Sequence, residues 1–154
     1  RRMDNAQIAA KCAMVSKSSI QLSINNIIGF PDETREMMFD TIYLNREIDA
    51  DSYTCSIFQP YRGTWLYNYC VDKGYYNADN LAIDLTVSST LKQPHITGDE
   101  IRGIARVFPL YVKFPETEFG EIKKAEKFDD EGENAFQNLS VVYRQNYEKR
   151  KRQS

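Results

Sequence analysis

The chain has little of what builds covalent cross-links or metal centres. Its 154 residues include one histidine, His95, and three widely separated cysteines, Cys12, Cys55 and Cys70. An odd number of cysteines at such spacing matches neither a disulfide framework nor a zinc or iron–sulfur ligand set. We therefore expect reduced and mostly buried thiols, a surface position for His95, and no metal bound by this chain alone.

Long apolar runs and an excess of one charge are also missing. No run approaches the roughly 20 residues that cross a bilayer, and no signal-peptide core follows the first residues. Lys+Arg number 20 and Asp+Glu 22, so the formal net charge of -2 gives no field that attracts nucleic acid or anionic lipid. We predict a cytoplasmic protein with no nucleic-acid or membrane partner.

The overall composition, with 42% hydrophobic and 27% charged residues, is typical of one soluble globular domain. The chain opens on Arg1 and Arg2, ahead of Met3, which favours an interior cut from a longer protein. Asp4 or Asn5 can cap a first helix that ends near residue 17.

A strand–helix–strand pattern follows that helix. The run 20–28 alternates and then becomes apolar, as in a strand buried on both faces, and 52–58 reads as a second strand. Asp32 is well placed to cap the intervening helix, which ends near Glu47. Two strands joined by a crossover helix within about forty residues predict parallel pairing. A short helix, 65–73, ends before Gly74.

The second half is predicted to be mostly helical. Thr97 and Glu100 form a capping box that starts a helix, and Pro109 should kink or restart it. Further helices are predicted over 119–128 and 135–150, separated by an acidic break, and 81–87 is a candidate edge strand or extended arm. We therefore divide the chain into 1–74 and a helical extension, 75–154.

Two motifs end the predicted strands. Asn-Ile-Ile-Gly-Phe-Pro-Asp-Glu-Thr covers 26–34, and Phe-Gln-Pro-Tyr-Arg-Gly-Thr-Trp-Leu covers 58–66. Ligands of parallel α/β folds bind at the carboxyl ends of strands, so Gly29 and Pro60 should meet at a common edge.

The motif pair resembles the fifth and sixth strands of radical S-adenosylmethionine (radical SAM) enzymes, especially the cobalamin-binding (B12-type) group. Residues 105–115 resemble that group's C-terminal extension. Two positions differ, since Asp32 stands where the group usually has glycine and Arg62 replaces a proline. The resemblance implies an α/β fold: the C-terminal βαβ portion of a partial (β/α)6 radical SAM barrel.

The resemblance also implies cofactors. Intact members cleave S-adenosylmethionine reductively with a 4Fe-4S cluster, held by a Cys-x-x-x-Cys-x-x-Cys loop that this chain lacks, and some use cobalamin. The residues expected to line the S-adenosylmethionine pocket are Asn26, Ile28, Gly29, Ile57, Phe58 and Gln59. As alternatives, Ile28, Ile57 and Phe58 are core positions, the glycine turn is only a tight strand-to-helix turn, and Glu33 is a first-turn dipole residue rather than an acid catalyst.

Two hypotheses about function remain open. The first is a fragment of an enzyme that modifies or methylates an unknown substrate, inactive alone because the cluster cysteines are absent. Such a fragment should expose a barrel edge and an uncovered apolar face, and should self-associate. The second is a non-catalytic α/β interaction module that keeps the barrel remnant as a scaffold.

Overall fold

The computed structural model describes residues 3–48, 50–78 and 89–148. The first half contains α1 (Asn5–Ser16), β1 (Ser23–Ile28), α2 (Arg35–Glu47), β2 (Ser52–Ile57) and α3 (Trp65–Asp72). The second half contains α4 (Gly98–Lys113), a 3-10 helix (Glu116–Glu118), α5 (Phe119–Ala125) and α6 (Asp130–Tyr143), which continues into a short π helix (Arg144–Glu148). The predicted edge strand 81–87 lies outside the described residues.

The two strands pair in parallel, as predicted. Their register runs from Ser23 opposite Ser52 to Ile28 opposite Ile57. The described residues thus form an α/β fold with one small parallel sheet, and they show no barrel. The (β/α)6 architecture stays a prediction from the family resemblance.

One face of this sheet is covered by helices. Ile28 and Ile57 belong to the same buried cluster as Met38 and Ile42 of α2 and Ile101 of α4. Among the described residues the opposite face is largely exposed and mostly polar, with Ile27 as its exposed apolar side chain, and the uncovered apolar face and self-association stay predictions. Its polar side chains can remain in water without a covering layer.

Helix α4 joins the two halves into one core. Thr97 and Glu100 form the predicted capping box, and the helix then continues through Pro109, where a kink or restart was predicted. Phe108 and Tyr111, on either side of the proline, are both fully buried. Their burial offsets the hydrogen bond that a proline removes from a helix. The predicted boundary at residue 74 stays a prediction.

The end of α4 is fastened to α2 by a single side chain. Arg46 donates through Nη1 to the carbonyl oxygens of Tyr111 at 2.5 Å and Phe114 at 2.7 Å. These are carbonyls in the last turn of the helix and at its C-cap, where intrahelical donors run out. The guanidinium therefore replaces the donors that the helix cannot supply.

Two predicted helix limits need correction. The acidic stretch expected as a break is the start of α6, because Asp129 caps it by accepting the backbone N–H of Gly132 at 2.8 Å. Acidic side chains suit that position at the positive end of the helix dipole. Of the last predicted helix, 135–150, residues 135–143 belong to α6 and 144–148 to the π helix, and 149–150 lie outside the described residues. Among the described residues, no helix has the length and apolar character to span a membrane.

Candidate functional site

The two sequence motifs meet at the carboxyl edge of the sheet. The backbone N–H of Phe58 donates to the carbonyl of Ile28 at 2.8 Å, which extends the strand pairing beyond Ile57. The rings of Phe30 and Phe58 lie 4.9 Å apart between centroids. Gly29 and Pro60 therefore follow two adjacent strand ends, as the sequence predicted. We call this region, residues 29–33 and 58–61, the carboxyl edge.

Glu33 organises the first of these two loops. Its Oε2 accepts the backbone N–H groups of Gly29 at 2.5 Å and Phe30 at 2.9 Å. The carboxylate is buried, and burial raises its pKa, although the two N–H groups act in the opposite direction. Its prediction as a first-turn dipole residue is wrong, because α2 begins two residues later, after the cap at Thr34.

Asp32 links the carboxyl edge to three residues that follow it in the chain, namely Tyr69, Tyr75 and Gln93. It has a left-handed backbone with φ 63°, which an aspartate adopts more readily than most residues. Its carboxylate accepts hydrogen bonds from the hydroxyls of Tyr69 and Tyr75, the latter at 2.7 Å. Its backbone N–H donates to Oε1 of Gln93 at 2.8 Å. The side chain thus joins the edge to α3 instead of capping α2, which corrects the predicted N-cap.

These hydrogen bonds shift the pKa values of all three groups. The Tyr69 hydroxyl, followed by that of Tyr75, lowers the pKa of Asp32. The bond to Asp32 in turn raises the pKa of Tyr69 to about 12 and raises the pKa of Tyr75. At neutral pH the cluster is one carboxylate held by two neutral phenols, which is a stable clamp rather than an acid–base pair.

The structure distributes the six predicted cofactor residues over two environments. Ile28 and Ile57 are 0% and 1% exposed, on the covered face of the sheet. Asn26 is on the same face, and its amide exchanges hydrogen bonds with Asn45 at 2.8 and 3.2 Å. Contact between these three side chains and a ligand would require α4 or α2 to move away.

The other three predicted residues are at the carboxyl edge. Gly29 has φ +82°, and a Cβ built on it would lie 2.9 Å from Cγ2 of Ile101. The close approach that the glycine permits is therefore that of α4. Phe58 is half-buried, and Gln59 is 3% exposed, with its Oε1 accepting the hydroxyl of Thr90 at 2.8 Å. All six assignments to S-adenosylmethionine stay predictions.

Sequence reasoning overlooked the open face of the sheet. Asn25 and Thr54 are exposed there, with the threonine hydroxyl donating to Oδ1 of Asn25 at 2.6 Å. Ile27 is 51% exposed one step closer to the carboxyl edge, opposite the partly exposed Ser56. Successive side chains of a strand point to opposite faces, so these residues lie on the face opposite Asn26 and Ile28. This alternation in the sequence was the signal that could have revealed the open face.

A cavity next to Asp32 contains an unpaired donor. The cavity measures about 590 Å³ and is lined by Tyr75 and Gln93 among others. Nε2 of Gln93 is buried and has no hydrogen-bond partner among the described residues. A buried amide without a partner is uncommon in folded proteins, so a ligand that brings an acceptor would be favoured at this point.

The cysteines do not offer a metal site. The three thiols are free, and no group of three or more histidine, cysteine or acidic residues is arranged to hold a metal within the described ranges. Burial raises the pKa of Cys55 to about 12 and also raises that of Cys70. Because a thiol ligates iron as a thiolate, these two are poorly suited to the task. The described residues therefore provide no ligand set that fits a 4Fe-4S cluster. His95 is exposed, as predicted.

The comparisons with known proteins give one relationship. The chain is similar to an uncharacterized methyltransferase from Pyrococcus horikoshii, with 34% identity over 88 residues. The match covers 57% of this chain and only 19% of that relative. No protein-family model matches, and neither does a solved structure. The similarity indicates a methyltransferase-like relationship over the matched part of the chain.

Proposed function

We propose that the chain is the part of a radical SAM methyltransferase that holds S-adenosylmethionine at the carboxyl edge of β1 and β2. The supporting observation is geometric: the two motifs of the family resemblance, separate in sequence, follow adjacent parallel strands. The methyltransferase-like relationship agrees with the same reaction class. The substrate that receives the methyl group is unknown.

Groups at and beside this edge suit the chemical parts of S-adenosylmethionine. Phe58, whose half-buried ring packs on Phe30, is an aromatic group beside which adenine could lie, and Ile27 offers an apolar surface on the open face. Asn25 and Thr54 present hydrogen-bonding groups to solvent, and Gln93 carries an unpaired donor. Ribose hydroxyls and the methionine carboxylate supply acceptors for such donors. When bound, S-adenosylmethionine supplies a methyl group or, after reductive cleavage, an adenosyl radical.

The chain's own residues shape this edge. Glu33 already occupies the two N–H groups of the glycine turn, so a ligand carboxylate would have to bind elsewhere. Asp32, bound by two tyrosine hydroxyls, holds α3 next to the edge. In this proposal the cluster and, where used, cobalamin are held by other parts of the parent polypeptide.

The test is an assay of the full-length gene product, purified without oxygen and reconstituted with iron and sulfide. We expect it to bind a 4Fe-4S cluster and to convert S-adenosylmethionine to S-adenosylhomocysteine or 5′-deoxyadenosine. Ser56→Trp, which fills the open face, should raise the KM for S-adenosylmethionine. The same change at the exposed Ser19 should leave the KM unaltered.

Two results would count against the proposal. One is a full-length protein that carries no iron and does not consume S-adenosylmethionine, while the 154-residue chain is a monomer that unfolds cooperatively. That outcome favours the interaction module. The other is an active enzyme in which Ser56→Trp and Ser19→Trp behave alike, which would move the cosubstrate away from the open face.

A further inference from the structure

A second cleft lies among three helices. It measures about 620 Å³, within the range of small-molecule sites, and lies between the first turns of α2 and α4 and the end of α5. Its cationic lining residues are Arg35, Arg102, Lys123 and Lys127, and its acidic ones are Asp99, Glu100 and Glu126. Phe128 completes the wall.

Three of these charged side chains make hydrogen bonds within the fold, and two of the three form an ion pair. The guanidinium of Arg35 binds both carboxylate oxygens of Glu126, at 2.9 and 2.5 Å, and Glu126 also accepts the hydroxyl of Tyr111 at 2.6 Å. The carboxylate of Glu100 caps α4 by accepting the N–H and hydroxyl of Thr97 at 2.9 and 2.8 Å. Arg35, Glu126 and Glu100 are thus already bound within the fold.

The remaining charges are mostly positive. For Arg102, Lys123 and Lys127, the described part of the chain shows no ion pair. Two carboxylates of the lining, Asp99 and Glu100, also remain without a cationic partner there, because Glu100 binds only uncharged groups of Thr97. Three cations against two carboxylates leave one excess positive charge in a protein whose formal net charge is -2. Charge matching within the cleft is therefore incomplete.

Arg102 packs over an aromatic ring of the cleft wall. Its guanidinium carbon lies 3.9 Å from the centroid of the Phe128 ring, and the side chain is only partly exposed. The neighbouring Arg106 also lies over Phe128, at 4.9 Å, but forms an ion pair with Glu133. Stacking fixes the plane of a guanidinium and leaves its N–H groups to bind carboxylate or phosphate oxygens in pairs.

We propose that this cleft binds a small organic anion, bearing phosphate or carboxylate, through Arg102 with support from Lys123 and Lys127. Asp99 would repel a ligand that carries negative charge along its whole length, so a ligand with its anionic group at one end fits best. The site is formed by α2, α4 and α5, and the inference does not depend on the proposed function.

The experiment is calorimetric titration of the 154-residue chain with pyrophosphate and, separately, with citrate at low ionic strength. We expect saturable binding of at least one, weakening as salt is added. Arg102→Gln should weaken it by roughly tenfold or more, and Arg102→Lys by less, because lysine keeps the charge but loses the paired N–H groups. Lys17→Gln, an equal charge change outside the lining residues, should have little effect.

The two probes separate phosphate from carboxylate as the preferred group. Amide and side-chain NMR shifts of the wild-type protein provide a readout that needs no variant, and they should change at Arg102, Lys127 and Phe128. Absence of binding by both anions would overturn the proposal. So would equal weakening by Arg102→Gln and Lys17→Gln, or shifts spread over all surface lysines, since these indicate diffuse attraction.

Discussion

Gly29 connects the carboxyl edge to α4, and its replacement by alanine should be among the most damaging small changes in the chain. Two costs combine. The residue has φ +82°, and placing a Cβ in left-handed backbone costs about 1–2 kcal/mol. The new Cβ would also lie 2.9 Å from Cγ2 of Ile101, well inside van der Waals contact.

Ile101 has little freedom to move away. It is 0% exposed, and a β-branched side chain in a helix is stiff about χ1. Overpacking of this kind typically costs about 1–3 kcal/mol. We therefore expect Gly29→Ala to lower the free energy of unfolding by about 2–5 kcal/mol.

Two other glycines supply matched controls. Gly63 has φ +87° and Gly74 has φ +70°, and a Cβ at either would meet nothing within 4 Å. Alanine at these positions should cost only the backbone term, about 1–2 kcal/mol. Urea unfolding followed by circular dichroism measures all three variants. Equal losses at Gly29 and Gly63 would refute the close packing of α4 on the carboxyl edge.

Three further perturbations test the edge and the helical core. Glu33→Ala should lower the free energy of unfolding by about 1–3 kcal/mol in urea titrations, since it leaves two backbone N–H groups unpaired, whereas Glu33→Gln should lose less. Gly103→Ala should destabilise because its Cβ would lie 2.5 Å from the carbonyl oxygen of Glu126, while Gly120→Ala, with open space around it, should be neutral or stabilising by thermal melts. The folded-state pKa of Asp32 is depressed, so its stabilising contribution is present above the ordinary aspartate pKa and is lost as pH falls through the depressed value. An acid titration followed by the fluorescence of the only tryptophan should therefore show a transition that Asp32→Asn removes.

The tryptophan is a suitable reporter because it is next to this cluster. Trp65 is 73% exposed and stacks on Tyr69 with 5.3 Å between ring centroids. Tyr69 in turn donates its hydroxyl to Asp32. Unchanged acid behaviour in Asp32→Asn would show that the carboxylate does not hold this helix in place.

Local signals in the sequence predicted the local structure well. The cap of α1 at Asp4, one of its two predicted candidates, the capping box of Thr97 and Glu100, and the parallel order of the two strands depend on residues close together in the chain. The choice of buried face could not be predicted in the same way. The alternation of side chains along β1 places Asn25 and Ile27 on the face opposite Asn26 and Ile28. Which of the two faces is covered depends on α4, which begins about seventy residues later.

The same limit applies to the site. Asp32 and Glu33 looked like helix-start residues, because acidic side chains before an apolar pattern usually are. The tyrosines that bind Asp32 and the turn that binds Glu33 are tertiary contacts, and no periodicity reveals them. The charged cleft likewise needs three helices to converge. The predicted restart at Pro109 does not occur, and the burial of its neighbours offsets the lost hydrogen bond, while the predicted kink stays a prediction.

The most direct test of the proposed function is an NMR titration of the 154-residue chain with S-adenosylmethionine. The account predicts saturable shift changes at the open face and carboxyl edge, at Asn25, Ile27, Thr54, Ser56 and Phe58, with little change on the far side of α4. Saturable changes confined to another surface, or no change up to millimolar cosubstrate, would contradict the placement of S-adenosylmethionine at the ends of β1 and β2.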